Sequence, residues 1–255
     1  MLSLIFPDWI GAASRVGAFS TERAGGVSTA PYDDGSGSGS GGMNLGAHTG
    51  DDAGHVRQNR ALLRQLLPSE PVWLQQVHGN VVVDAATVAA GTVPVADASF
   101  TDQPGVVCAV MTADCLPVLL CDGRGAVVGV AHAGWRGLAA GVLQNTMAAM
   151  RGAGAGDLLA WLGPAIGPRH FEVGTDVLAS FVKQNPYAAA AFRPLAGQPG
   201  KYLADLYHLA RLILAEGGVG RIAGGSHCTV SQSGRFFSYR RERETGRMAT
   251  LIWIQ

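Results

Sequence analysis

Between residues 96 and 130 the chain alternates short apolar runs with turns, a pattern that predicts strands over residues 98–100, 106–111, 118–121 and 127–130. Residues 106–111, Val-Val-Cys-Ala-Val-Met, are apolar on both faces, as a central strand covered on both sides requires. Apolar runs at 2–6 and 16–19, a run at 72–80 that ends in a turn, and further runs at 81–83, 158–162 and 245–254 predict additional strands, the last of them in the core. Helical periodicity appears four times. One helix is predicted between Asp51 and Pro68, with acidic residues at its start and proline beyond its end. Others are predicted over 136–150, where Leu138, Val142, Leu143, Met147 and Met150 share a face, over 176–183, and over 204–215.

Residues 33–42 break the pattern with a run of aspartate, glycine and serine too polar and too free in its backbone to pack. The residues before it are too few for a domain, so the tract is expected to be a mobile loop, a candidate lid on one domain spanning 1–255. Strands and helices interleave, which places the chain among α/β proteins with a single-domain layered fold and a mixed central sheet.

Composition narrows the partners. With 47% hydrophobic residues, 15% charged residues and a net charge of zero, the chain lacks the basic excess that nucleic acid demands, and a small ligand is expected instead. No apolar stretch reaches the roughly 18 residues of a membrane helix. The first residues lack a signal peptide's basic region, and the four cysteines show no disulfide framework, so a cytoplasmic location is expected. Cys108 and Cys121 are read as core packing. His48 and His55 are read as surface or capping residues, and His170 and His208 as structural.

The candidate chemistry gathers between Thr112 and Val142. Cys115 ends one apolar run and His132 the next, each followed by turn-making residues, and His78 stands before Gly79 in the same way. Two imidazoles and a thiolate make a three-ligand zinc site with a fourth position open for water or substrate. The same residues also allow a metal-free cysteine nucleophile with a histidine base, or the equatorial set of a copper centre. Multicopper oxidation needs more histidines than these, and the seven in the chain include no His-x-His pair. Arg136, in the first turn of its predicted helix, is a cation where the macrodipole disfavours one, which suggests a bound anion. Arg23, in the Gly-rich stretch before Val27, is a second arginine of interest.

Several segments together carry a resemblance: Gln76-Val77-His78-Gly79, Ala113-Asp114-Cys115-Leu116-Pro117, His132-Ala133-Gly134-Trp135-Arg136-Gly137, Gly163-Pro164-Ala165-Ile166-Gly167 and Phe237-Ser238-Tyr239-Arg240-Arg241. With Thr21-Glu22-Arg23-Ala24-Gly25-Gly26-Val27-Ser28 and Asn44-Leu45-Gly46, in this order, the chain resembles the YfiH family, also called the polyphenol oxidase or laccase-domain family. The resemblance implies a fold related to the catalytic domain of cytotoxic necrotizing factor. It implies zinc on His78, Cys115 and His132, with copper the lesser alternative. It implies phosphorolysis of adenosine, inosine, guanosine and methylthioadenosine, with adenosine deamination as a second activity. Purine nucleosides and phosphate would be the partners, and the chain a monomer or weak homo-oligomer. Arg23, Asn44 and Arg240 would bind substrate, Arg136 would hold phosphate, and Asp114 would act as acid/base or orient a ligand histidine. The competing classes are a metal-free cysteine hydrolase, a laccase-like copper oxidoreductase, and a binding or cell-envelope editing role with incidental turnover.

Overall fold

The computed structural model describes residues 2–255. A six-stranded mixed sheet runs in the order Arg221–Gly224, Leu158–Leu162, Leu116–Asp122, Val128–Ala133, Ala98–Thr101, Val82–Asp84. Its two outer pairs are parallel and its three inner pairs antiparallel. A four-stranded antiparallel sheet, Leu4–Ile5, Val16–Thr21, Met248–Ile254 and Val107–Thr112, lies against one face of it. Cys108, Val110, Ile252 and Ile254 of the small sheet pack with Leu119, Cys121, Val130 and Trp161 of the large one. Helices Val142–Gly152 and Leu206–Glu216 cover the outer face of the large sheet, and helix Ala53–Arg64 contributes Leu63 to the outer face of the small one.

Coverage on both faces explains the apolar runs. Every residue of Val107–Thr112, Leu116–Asp122 and Val128–Ala133 is buried, so alternation gives way to continuous hydrophobicity. Cys108 and Cys121 are fully buried, as expected, and burial pushes both thiols up to about 12.

Two expectations change. The helix expected over 136–150 is two helices, Trp135–Ala139 and Val142–Gly152, because Gly141 adopts φ +91° between them. Residues 72–80 form no regular strand. Val72 donates to the Val107 carbonyl (2.9 Å) and Gln75 bridges Val95, while the Gln76 amide exchanges two hydrogen bonds with the Met111 backbone, each 2.8 Å. The segment lies along the edge of the small sheet, anchored partly by a side chain that strand periodicity does not register. The Gly/Ser tract folds back so that Gly42 bridges Ala24 and Ser28, and residues 33–42 line neither of the two cavities described below.

Candidate functional site

His78, on the docked 72–80 segment, comes beside Cys115 and His132 at the ends of two strands of the large sheet. His78, Cys115 and His132 each offer a ligand atom within 4.8 Å of the others, and His78 Nε2 lies 3.8 Å from Cys115 Sγ. Two donors on one tetrahedral ion with bonds of about 2.0–2.3 Å stand slightly closer than this. His132 is buried and His78 exposed, so the cluster has a closed side and an open one.

A residue outside the expected set builds the cluster. Asp97, fully buried between Ala96 and Ala98, accepts the backbone N–H groups of Val77 (3.1 Å), His78 (2.9 Å) and Gly79 (2.7 Å). Its Oδ1 also lies 2.7 Å from His132 Nδ1. One carboxylate thus folds the loop that carries His78, where His78 itself takes φ +59°, and orients His132 with Nε2 free for a ligand. Burial disfavours the Asp97 charge, but His132 and these amides outweigh it and hold the carboxyl below its ordinary range. Burial likewise opposes ionisation of both Cys115 and His132, yet their mutual attraction, helped by His78 and Asp97, favours thiolate beside imidazolium. A thiolate is the form that binds a metal. His132 can ligate through Nε2 once an ion displaces its imidazolium proton, so the donors fit an ion of the zinc or copper type. Among the described residues this is the only such group of histidine, cysteine and carboxylate ligands, which does not supply the several centres of a multicopper oxidase.

The cluster opens into a cavity of about 950 Å³ whose lining includes Trp73, Trp135, Phe171 and Tyr239, aromatic faces suited to a planar base. His48, Arg60 and Arg247 also line it. Burial, then Arg247 and Arg60, hold the His48 pKa down, so a neutral imidazole is favoured beside the two guanidiniums. Among the described residues, neither Arg60 nor Arg247 pairs with a carboxylate; they donate only to carbonyl oxygens and a methionine sulfur, and Arg60 stacks on Trp73 at 4.3 Å. Two guanidiniums without a carboxylate pair draw anions into a cleft, although Asp114 and Cys115 share this lining and act on Arg247. His48, read from the sequence as a surface or capping residue, is exposed where it lines the cavity, whereas sequence reading does not single out Arg60 or Arg247. Two hydrogen bonds to the Leu45 carbonyl and the stacking on Trp73 turn Arg60 inward.

The remaining expected residues separate into two groups. Asp114 and Arg240 line the cavity. Asp114 adopts φ +97°, unusual for a non-glycine, and its carboxylate accepts from Thr229 Oγ1 and the Arg240 backbone N–H, each at 2.6 Å. The carboxylate that orients a ligand histidine is thus Asp97, and Asp114 faces the ligand space. The Arg240 guanidinium reaches the carbonyls of His170 and Glu172 and stacks 5.6 Å from Phe171.

Arg23, Asn44 and Arg136 do not line the cavity. Arg23 is buried, with its guanidinium committed to Asp33, Glu242 and two carbonyls. Asn44 is buried and accepts the Arg247 backbone N–H (2.9 Å), so it holds a cavity arginine in place. Arg136 is exposed and lies 4.4 Å over the Trp135 ring on a five-residue helix, outside the lining of this cavity.

The family described as multi-copper polyphenol oxidoreductase laccase matches residues 17–255. A Pseudomonas aeruginosa protein named as a purine nucleoside phosphorylase is 50% identical over 255 residues, covering the whole of both chains. Escherichia coli YfiH, also named as a purine nucleoside phosphorylase, is 50% identical over 256 residues with the same coverage. Among solved structures, a Neisseria meningitidis protein superposes with TM-score 0.90 at 50% identity over 99% of each chain. Geobacillus stearothermophilus YlmD follows with TM-score 0.83 at 32% identity, covering 95% of this chain and 93% of its own. The full-length match, the shared fold and these relatives place the chain in the YfiH family, the laccase-domain proteins.

Proposed function

We propose that the protein is a zinc-dependent purine nucleoside phosphorylase with adenosine deamination as a second activity. The observation that carries this reading is the opening of one cavity onto both a His-Cys-His donor set and an unpaired His48/Arg60/Arg247 cluster, between aromatic walls. The names of the relatives at 50% identity point the same way.

In phosphorolysis, a phosphate oxygen forms a bond to the anomeric carbon of the ribose while the bond from that carbon to the purine nitrogen breaks. The products are ribose 1-phosphate and the free base. Arg60 and Arg247 hold the phosphate and offset its charge as it approaches, with the His48 imidazole as a hydrogen-bond partner. Trp73, Phe171 and Tyr239 bind the base and exclude water. The Asp114 carboxylate, fixed by Thr229 and Arg240, faces the positive charge that develops on the sugar. His78, Cys115 and His132 would hold the zinc, which supplies Lewis acidity toward a substrate oxygen or nitrogen, or toward water in deamination. Adenosine, inosine, guanosine and methylthioadenosine are the proposed substrates.

The second reading, a metal-free cysteine hydrolase, draws on the Cys115 thiolate beside His132. Metal analysis of the purified protein and a phosphate-dependence assay on inosine separate the two. The phosphorylase carries about one zinc per chain and releases hypoxanthine only with phosphate. A hydrolase releases it equally without phosphate and loses activity on alkylation of Cys115. Asp114→Asn is expected to lower kcat by about 100-fold with little change in KM for phosphate. An unchanged kcat would remove Asp114 from the mechanism.

A further inference from the structure

A second cavity of about 490 Å³ lies behind the wall of the first. The wall is shared residue by residue. Ile166, Phe171 and Leu206 face the first cavity, while Gly167 to His170 and Asp205, Tyr207 and His208 face the second. Nothing in the proposed reaction uses this space.

Its chemistry is unlike that of a packing defect. Arg169, His170, His208, Arg211 and His227 line it, against one carboxylate, Asp205. Asp205 is already engaged, its Oδ1 accepting the His208 backbone N–H at 3.0 Å as the cap of helix Leu206–Glu216. Glu22 lies nearby but pairs with Arg235 at 2.8 Å. Arg211 donates to the carbonyls of Ile222 and Gly224, which fixes its charge in the wall, and the Arg169 side chain is exposed and unpaired among the described residues.

Cys228, half-buried, lies in the lining of this cationic space. Its Sγ accepts the Gly167 N–H at 3.3 Å. A Cβ on Gly167 would stand 3.1 Å from both Cys228 Cβ and Sγ, so only glycine leaves the thiol room beside its donor. Burial opposes ionisation here, but hydrogen bonding within the surrounding loops outweighs it and brings the thiol below its ordinary value.

We propose that this cavity is a binding and modification site for a small anionic disulfide of the glutathione class, with Cys228 as the attacking thiolate. The Cys228 sulfur forms a bond to one sulfur of glutathione disulfide as the disulfide bond breaks, and glutathione thiolate leaves. No other oxidant is required. The cavity falls within the size range of small-ligand pockets, and its arginines and histidines face the carboxylates of the incoming glutathionyl group. The inference is independent of the reaction in the first cavity.

The test uses the zinc-loaded full chain, in which Cys115 is ligated and Cys108 and Cys121 are buried. The protein is incubated with glutathione disulfide or, separately, with the uncharged bis(2-hydroxyethyl) disulfide, followed by intact mass and peptide mapping. One glutathionyl group per chain at Cys228, removed by a thiol reductant and absent in Cys228→Ser, is expected. Glutathione disulfide should react at least about tenfold faster than the neutral disulfide, the lower end of electrostatic focusing in a charged cleft. That advantage should shrink in Arg169→Ala and His208→Ala, with their folds checked by circular dichroism. An unmodified Cys228 would overturn the proposal. So would equal rates with the two disulfides, or an advantage that survives both substitutions.

Discussion

A methyl group on Gly134 would lie 2.9 Å from Cys115 Sγ and 3.3 Å from His78 Cδ2, although the backbone there (φ −62°, ψ 159°) suits alanine. The conflict is with the ligand atoms alone. Gly134→Ala is therefore expected to weaken zinc binding by about tenfold or more while leaving the metal-free protein's urea midpoint nearly unchanged, read by competition with a chelating dye and by denaturation. Asp97→Ala should do both kinds of damage. It removes the acceptor of three backbone amides and of His132, with an expected loss of about 3 kcal/mol of stability and 10–100-fold in metal affinity. At this scale the ligands were legible, because cysteine and histidine at strand ends are conspicuous by type. Asp97 was not. Its place between two alanines hints at a buried carboxylate, but the four groups it serves come from residues 18–35 positions away, and only the fold assembles them. Arg23 and Arg136 show the converse, since arginine type alone does not reveal that one is spent on Asp33 and Glu242 and the other stacks outward on Trp135.

Among the elements, the central strands were legible because burial on both faces writes itself as uninterrupted hydrophobicity. The broken helix after His132 was harder to foresee. Apolar residues continue in helical register across Gly141, and the break lies in a backbone angle of +91° that glycine permits without demanding. A Cβ there meets only the end of Gln144, at 3.7 Å. Gly141→Ala thus isolates conformational strain and should cost about 1–2 kcal/mol in urea denaturation. A cost near zero would mean that the two helices can merge into one. The segment 72–80 was legible as extended but not as docked, since Gln76 side-chain hydrogen bonds replace much of a strand ladder.

Across the whole molecule, two sheets packed face to face with helices outside form the layered α/β arrangement that alternating strand and helix patterns imply, and the site sits where strand ends and the 72–80 segment converge. Among the described residues no helix is long and apolar enough to cross a membrane. Global stability has a carboxylate signature away from the metal site. Burial opposes the Asp122 charge, yet the amides of Val127 and Ala126 and the Arg124 side chain outweigh it; Glu242 is held down in the same way by Thr245, Arg23 and Arg241. Both folded pKa values lie below the unfolded ones, so their stabilisation is present above the ordinary carboxylate values of 3.8 and 4.5 and is lost as pH falls through the lower folded values. Urea midpoints measured at falling pH should drop in that window, and Asp122→Asn should flatten the drop. A midpoint independent of pH there would contradict the assignment.

One cavity is lined by both the His78-Cys115-His132 donors and the Arg60 and Arg247 guanidiniums, the arrangement on which the proposed phosphorolysis rests. Zinc-loaded protein is given inosine with and without inorganic phosphate, and hypoxanthine and ribose 1-phosphate are quantified together, for the unaltered chain and for Arg247→Ala. The account predicts equal amounts of the two products, formed only with phosphate, and a phosphate KM raised at least tenfold in Arg247→Ala, the loss expected on removing one charged hydrogen-bond donor. Hypoxanthine released at the same rate without phosphate, or an unchanged phosphate KM in the variant, would contradict it.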